Sequence, residues 1–371
     1  MNQPREQRQF SELLKAGLWG TSPDTTLFVS GDVDWLALLK LAKCQACIGV
    51  AYDGVLTLPE TMRPPRDIFL QWSSLVAQIE EDNDFFNEKL CEVTTLYREQ
   101  GLDFVLLKGQ GVAPHYPRPE HRQSGDIDLL VGRDFEKANT LLRLESDSEG
   151  PETDKHIEFS WRGVTVENHR ISARLSAPWA NVSYQKATAS WFPMGGVAIS
   201  IRGADVVVPP HEFNAVFLLV HALEHLFWGG LGMRQVMDWV CLIQATHTCF
   251  DKRAYNHLLR KTGLTGIAKA FASIGTEFMG LPASSLPFAL SDKDKGLGRK
   301  LFSHIWTNGN FGLYNKERKA RPNGYWESKW YTFTSSVSRC AELFSVAPAE
   351  AFCYPIRIAF HSAWEQIKMR L

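Results

Sequence analysis

The sequence predicts an α+β protein, with a small mixed β-sheet in the middle of the chain and helical regions on both sides. Three observations carry this. Residues 1 to about 100 place apolar side chains at helical spacing. The next hundred or so break into short alternating runs punctuated by glycine and proline, and from His211 helical spacing returns. We divide the chain into a helical cap over 1–100, an α/β core over 101–208 and a C-terminal helical region over 209–371.

In the cap, Phe10, Leu13 and Leu14 recur at helical spacing, as do Leu36, Leu39 and Ala42, and then Ile68, Trp72, Leu75 and Ile79. Pro64-Pro65 starts a long helix running to Glu99, which Gly101 stops. Asp103 to Lys108 reads as a strand broken by Gly109-Gln110-Gly111, with a helix expected beyond it. Asp126 to Val131 is a second strand, followed by a helix that Asp134 caps and that runs through Arg143. Ser146 to Asp154 is polar and reads as a loop. Two alternating runs, Lys155 to Trp161 and Val164 to Arg170, flank Arg162-Gly163 as a hairpin. Ser172 to Gly196 shows little pattern and is expected to be an insertion or lid. A last hairpin turns at Arg202-Gly203 before Pro209-Pro210, and the helices beyond are punctuated at Arg321 to Gly324, Pro348 and Pro355.

At 371 residues the chain can bury a large core. Its 22% charged residues and formal net charge of −1 describe a globular protein, and no basic run stands out, which argues against long DNA or RNA as a partner. The N-terminus has no apolar segment of the signal-peptide kind, and no run has the length of a membrane span. A cytoplasmic location with reduced thiols is therefore expected, and no membrane partner. Cys44 and Cys47 form a CxxC inside a helical pattern with no second pair, so they read as buried thiols.

The chemistry concentrates between Leu106 and Val131. Side chains two apart on a strand share a face, so Asp126 and Asp128 project together while Ile127, Leu129 and Val131 go to the other side. Two adjacent carboxylates raise each other's pKa unless a positive charge lies between them. Mg²⁺ is the expected ion, because it is held by one or two carboxylates together with substrate phosphates. The glycine turn at Gly109 to Gly111 suits a phosphate, and Lys108 and Arg122 supply positive charge.

Strand, Lys108-Gly109, a helix with Tyr, then Arg122-x-x-Gly125-Asp126-Ile-Asp128-Leu-Leu-Val resembles the nucleotidyltransferases of unassigned substrate in the DNA polymerase β-like superfamily. The resemblance runs from about Asp103 to Asp238. It implies a polymerase β-like mixed sheet and transfer of a nucleoside monophosphate from an NTP, with two metal ions and release of pyrophosphate. Mn²⁺ is expected to substitute for Mg²⁺. The superfamily's turn has Gly-Ser where this chain has Gly109-Gln110, so Gln110 would have to supply the phosphate contact. Gly109, Gly111 and Gly125 would complete the phosphate cradle.

A third carboxylate is expected on the hairpin. Glu158 shares a face with His156 and Ser160, and Glu167 one with Thr165 and His169; parity leaves both open. The resemblance favours Glu167, an acid followed two residues on by His, as metal ligand and acceptor base, with His169 beside the substrate.

The helix from His211 carries His221, Glu224, His225 and Trp228 on one stripe. By the same resemblance it faces the cleft, with His221, His225 and, beyond Gly229-Gly230, Arg234 near phosphate or acceptor. Two other readings stand beside it. His221-x-x-Glu224-His225 matches the inverted zinc-peptidase motif, which would make a zinc hydrolase with Glu224 as base. Alternatively, the histidines are a buried pair and Arg234 bridges Asp238. The reading adopted is a Mg²⁺-dependent nucleotidyltransferase with Asp126, Asp128 and Glu167 at the metals and a small-molecule, sugar or protein hydroxyl as acceptor. A catalytically degenerate nucleotide-binding domain is its non-enzymatic rival. The nucleotide's base and the oligomeric state leave no signature in the sequence.

Overall fold

A computed structural model describes residues 4–29, 33–310 and 322–368. Helices α1 (Arg5–Trp19), α2 (Trp35–Cys44), α3 (Ile48–Leu56) and α4 (Arg66–Glu99) lead into strand β1 (Val105–Leu107). Strand β2 (Ile127–Leu130), helix α5 (Phe135–Arg143) and strands β3 (Ser148–Glu149), β4 (His156–Trp161) and β5 (Val164–His169) follow. Then come helix α6 (Pro178–Trp191), strands β6 (Val197–Ile201) and β7 (Ala204–Val208), and helices α7 (His211–Trp228), α8 (Met233–Thr246), α9 (Lys252–Thr262) and α10 (Thr265–Phe278). Helices α11 (Asp292–Asn308), α12 (Tyr325–Leu343) and α13 (Pro348–Lys368) complete the described chain.

Five strands form one mixed sheet in the order β1-β2-β5-β4-β3, with β2 and β5 parallel and the other pairs antiparallel. The fold is α+β, a small mixed sheet flanked by helices. Both hairpins turn on Arg-Gly pairs, with φ of 49° and 85° at Arg162-Gly163 and 50° and 79° at Arg202-Gly203, the positive values that two-residue hairpin turns of the favoured hand require. The β6–β7 hairpin stays a separate two-stranded sheet.

Helix α4 is the spine. At 34 residues it is about 50 Å long, with Pro65 ahead of its first turn and Gly101, at φ 63°, behind its last. Its first half packs on α3, where the Trp72 indole donates to the Ile48 carbonyl at 3.0 Å. Its last turns send Leu90, Val93 and Tyr97 under the sheet. There they meet Leu106, Ile127, Leu129, Ile157, Phe159, Val166 and α5 in a closed apolar layer. The opposite face contributes Val105, Leu107 and Leu130 to a larger core made by the helices. That core contains α1 and α3 together with α7, α8 and α10, so the first and last thirds of the chain share one interior.

Several expectations are corrected. No α-helix follows Gly109-Gln110-Gly111; residues 109–121 form three single 3-10 turns. Pro114, Pro117 and Pro119 each remove a backbone donor and restrict the residue before them, which prevents a continuous helix. Helix α5 is where expected, but the Asp134 carboxylate accepts from the Asp103 N–H at 3.0 Å instead of capping it. Residues Ser148–Glu149 pair with β4 as a short edge strand. The stretch that shows little pattern, expected to be an insertion or lid, holds α6, which starts at Pro178 and buries Ala180, Tyr184, Thr188 and Trp191 along one stripe. Pro355 lies inside α13, and Arg321 lies outside the described residues.

Helices α1 and α3 cross so closely that glycine is obligatory at the contact: a Cβ on Gly54 would lie 2.0 Å from the Leu13 carbonyl oxygen. Because the obstacle is backbone, Gly54→Ala should cost roughly 1–3 kcal/mol, and urea denaturation that finds less than half a kcal/mol would contradict this packing.

Candidate active site

Strand register assembles the acids. Asp128 on β2 lies opposite Leu107 on β1 and opposite Glu167 on β5. Directly opposed residues share a face, so Asp128 and Glu167 stand side by side, and Asp126, two residues earlier, joins them. Each of the three offers an oxygen within 4.8 Å of the others. Glu158 is opposite Glu167 on β4, one strand further from Asp128, and is exposed. Register, not parity, separates the two hairpin acids.

Lys108 lies among these carboxylates, its ammonium 2.9 Å from Asp126 Oδ2 and 3.0 Å from Asp128 Oδ1. Strand alternation would not put it there. Leu107 shares the face of Asp128, so in an unbroken strand Lys108 would follow Leu106 to the opposite, apolar side. The chain instead breaks at Lys108, with φ 36° and ψ −147°. That is a region other residues leave to glycine, at an expected cost on the order of 1–3 kcal/mol. Gly109 continues the break at φ 47°.

His169, two residues beyond Glu167, closes the group. Its Nε2 is 3.0 Å from Asp128 Oδ1 and 3.1 Å from Glu167 Oε2. Burial alone would depress this imidazole, but the bonds to Asp128 and Glu167 outweigh burial and raise its pKa, favouring the imidazolium. Burial likewise opposes the Lys108 ammonium, and Asp128, Asp126 and Glu167 overcome it, so its pKa is raised. Burial and neighbouring Asp126 push Asp128 up to about 6. Burial works the same way on Glu167, but the His169 hydrogen bond and Lys108 hold it below the usual carboxylate range. His156 is 3.9 Å from Glu167, and burial with the nearby His169 lowers it to about 4. Sequence alone does not single it out; the signal that could have found it is the face it shares with Glu158.

The chemistry of this donor set suits a hard divalent cation. Asp128 Oδ2 is buried without a hydrogen-bond partner, and three carboxylates converge on one spot, the oxygen ligands that Mg²⁺ and Mn²⁺ take. His156, Glu167 and His169 form an adjoining group within the same 4.8 Å limit.

Two residues expected on phosphate are placed elsewhere. Arg122 is buried and forks onto Asp238, with Nε and Nη2 each 2.8 Å from a carboxylate oxygen. The Tyr116 hydroxyl donates to the same carboxylate at 2.6 Å. Burial disfavours the guanidinium, but Asp238 more than compensates, and its pKa is raised. This replaces the expected Arg234–Asp238 bridge: Arg234 instead donates to the Gln123 carbonyl at 2.8 Å, and burial together with Arg122 lowers its pKa. Gln110 is buried and fully engaged. Its amide nitrogen meets Asn83 Oδ1 at 3.2 Å, and its oxygen accepts from Ser124 at 3.0 Å. Asn83 on α4 also donates to the carbonyls of Glu120 and Arg122. These groups hold the 109–125 segment in place. Among its backbone donors, Gly111 N–H is spent on the Lys108 carbonyl. Gly125 is exposed, with open space where a side chain would begin.

Helix α7 runs over the acid face. His221 and His225 meet Nε2 to Nε2 at 3.1 Å. Glu224 leaves them for the Lys155 ammonium at 2.9 Å and the Arg174 N–H at 3.4 Å. Among the described residues no group of three metal-type side chains includes either histidine, so the zinc-hydrolase arrangement does not form. Burial and the charges of Lys108 and Arg234 push His225 down to about 4, so it is neutral at about pH 7. The Lys155–Glu224 and Arg122–Asp238 pairs were not foreseen, because their partners are far apart in sequence and carry no local signal. Cys44 and Cys47 are both free and buried.

Residues 31–280, well over half of the chain and including the whole sheet, match the family described as uncharacterised nucleotidyltransferase, and the chain belongs to that family. Comparison with curated proteins and with solved structures returned no match. Among the described residues no helix is long and apolar enough to cross a membrane.

Two outcomes follow. Arg122→Ala would leave Asp238 buried without its counter-charge, held only by the Tyr116 hydroxyl, costing about 3–5 kcal/mol in denaturant unfolding; a stable variant with weakened nucleotide binding would instead restore the phosphate role. His225 titrates lower when folded than its ordinary 6.5, so its contribution to stability is full above that value and is lost as pH falls towards about 4. His225→Gln should therefore shrink the drop in melting temperature between about pH 7 and about pH 5, and an unchanged drop would refute the assignment.

Proposed function

We propose that this protein transfers a nucleoside monophosphate from an NTP to an acceptor hydroxyl, releasing pyrophosphate. The observation that carries the reading is the in-register placement of Asp128 beside Glu167, with Asp126 completing a three-carboxylate group, in a chain of a nucleotidyltransferase family.

Asp126, Asp128 and Glu167 would hold Mg²⁺, with Mn²⁺ as substitute, in a site for two ions. When bound, such ions would supply positive charge to stabilise the attacking and leaving oxygens of an in-line displacement. Glu167, ionised at neutral pH, accepts a hydrogen bond from the acceptor hydroxyl and orients it. His169 keeps a proton between Asp128 and Glu167 and so fixes both carboxylates for their task. Lys108 and Arg234 are the cations for the triphosphate; Arg234 forms no ion pair among the described residues and donates only to a carbonyl. The neutral His221–His225 pair, with Lys155 and Glu224, lines the acceptor side. A formal net charge of −1 favours a small-molecule, sugar or protein acceptor over a polynucleotide. We place the protein in the cytoplasm.

Melting should rise with at least one of ATP, GTP, CTP or UTP only when Mg²⁺ is present, by roughly the 2.7 kcal/mol equivalent that a ligand at about a hundred times Kd supplies. Asp128→Asn should abolish transfer, roughly 10²–10³-fold or more, in a variant that still folds but is less stable in chelator, because Lys108 and His169 lose part of their buried counter-charge. Full activity in that variant would end the assignment.

A further inference from the structure

We propose that Lys108 is a tethered counter-ion of the carboxylate site: its ammonium occupies the cation position between Asp126 and Asp128 when no divalent ion is bound, and moves to the triphosphate when one enters. This rests on the nucleotidyltransferase reading and says how its metal site is guarded.

Three observations converge on it. The ammonium is shared between carboxylate oxygens at 2.9 Å and 3.0 Å, one on each of the two acids that alternation aims at a single ion. The chain adopts φ 36° and ψ −147° at a non-glycine residue. Without that break the side chain would point into the apolar layer below the sheet, so the strained backbone is what delivers the charge. Finally, the second oxygen of Asp128 is buried without a partner. One ammonium therefore neutralises only part of a site built for more positive charge.

A divalent ion coordinated by Asp126 and Asp128 would stand within a few ångströms of the ammonium, and like charges at that distance repel strongly. Both cannot keep the same two oxygens. The lysine stem is flexible, and its ammonium carries three donors that suit phosphate oxygens. An incoming triphosphate gives it a new partner as the ion takes its place. Metal alone must displace the lysine before any phosphate is there to receive it, whereas metal and nucleotide together exchange one ion pair for another. The resting protein thus keeps its buried acids neutralised, and free metal binds poorly until the nucleotide arrives.

The test is Mn²⁺ titration of the nucleotide-free protein, followed by electron paramagnetic resonance, for wild type and Lys108→Met. The methionine stem keeps the packing and removes the charge. The variant should bind Mn²⁺ at least tenfold more tightly than wild type, and its melting temperature should be lower in chelator yet gain more from Mn²⁺. A lysine that only braces the fold would give the lower melting temperature without tighter Mn²⁺ binding, and that result overturns the proposal. Wild type provides a second readout: amine-reactive labelling of Lys108, quantified by mass spectrometry, should rise with Mn²⁺ alone and fall when NTP is added. Labelling unaffected by Mn²⁺ also overturns it. If neither protein binds Mn²⁺ even with NTP, the nucleotidyltransferase reading fails together with this one, whereas tight binding that is equal in both sinks the counter-ion alone.

Discussion

Three carboxylates stand together on the buried face of β2 and β5, and the surrounding structure is arranged around the cost of keeping them there. Removing one carboxylate from water is expensive, and placing like charges next to it compounds the cost. The chain meets this with two cations that come from close by in sequence: His169 from the same strand as Glu167, and Lys108 from the end of β1. The strain at Lys108 belongs to the same accounting. A regular strand end would relieve it and leave the acids without their strongest neighbour.

The remaining polar groups around the site act as fasteners. Arg122 ties the segment ahead of β2 to α8 through a two-pronged bond to Asp238, with the Tyr116 hydroxyl on the same carboxylate. Asn83 fastens that segment to α4 from the other side. Sheet, spine and roof therefore meet at one short stretch of chain that lacks α-helix or strand of its own. Its prolines restrict the backbone, and the side chains that look available for phosphate in the sequence are consumed in holding it. Below the sheet Ile127 and Leu129 pack into an apolar layer, so the acids of β2 and β5 lie on its other face.

Much of this was legible in the sequence, and the reasons are physical. The acids of β2 and the hairpin of β4 and β5 obey period-2 alternation, and the long helix α4 is bounded by Pro65 and Gly101, so local rules found them. Family resemblance, not alternation, chose Glu167 over Glu158. What resolved the choice in space was strand order, which is a long-range property. Arg122 and Gln110 illustrate the limit most clearly. Their residue types fit a phosphate site, but Asp238 and Asn83, the groups that claim them, are remote in sequence. Helix α6 was missed for another reason: its buried stripe of Ala180, Tyr184, Thr188 and Trp191 mixes small and polar residues, so the apolar periodicity is faint.

The shared interior of the first and last helices bears on how such a chain comes into being. The Trp19 indole donates to the Met279 carbonyl, and the Gln45 amide donates to the Ile305 carbonyl, each across 260 residues. On a ribosome, α1 to α3 emerge long before the helices that bury them, and the strands bearing Asp126, Asp128 and Glu167 emerge before α7 and α8. Contacts so distant in sequence close late and slowly. A growing chain therefore displays its acids to water, where they are hydrated and ineffective. The helices that complete the core of α1 and α3 also pack against Leu107 and Leu130, on the face that carries the acids, so that face is enclosed only once the later helices are made.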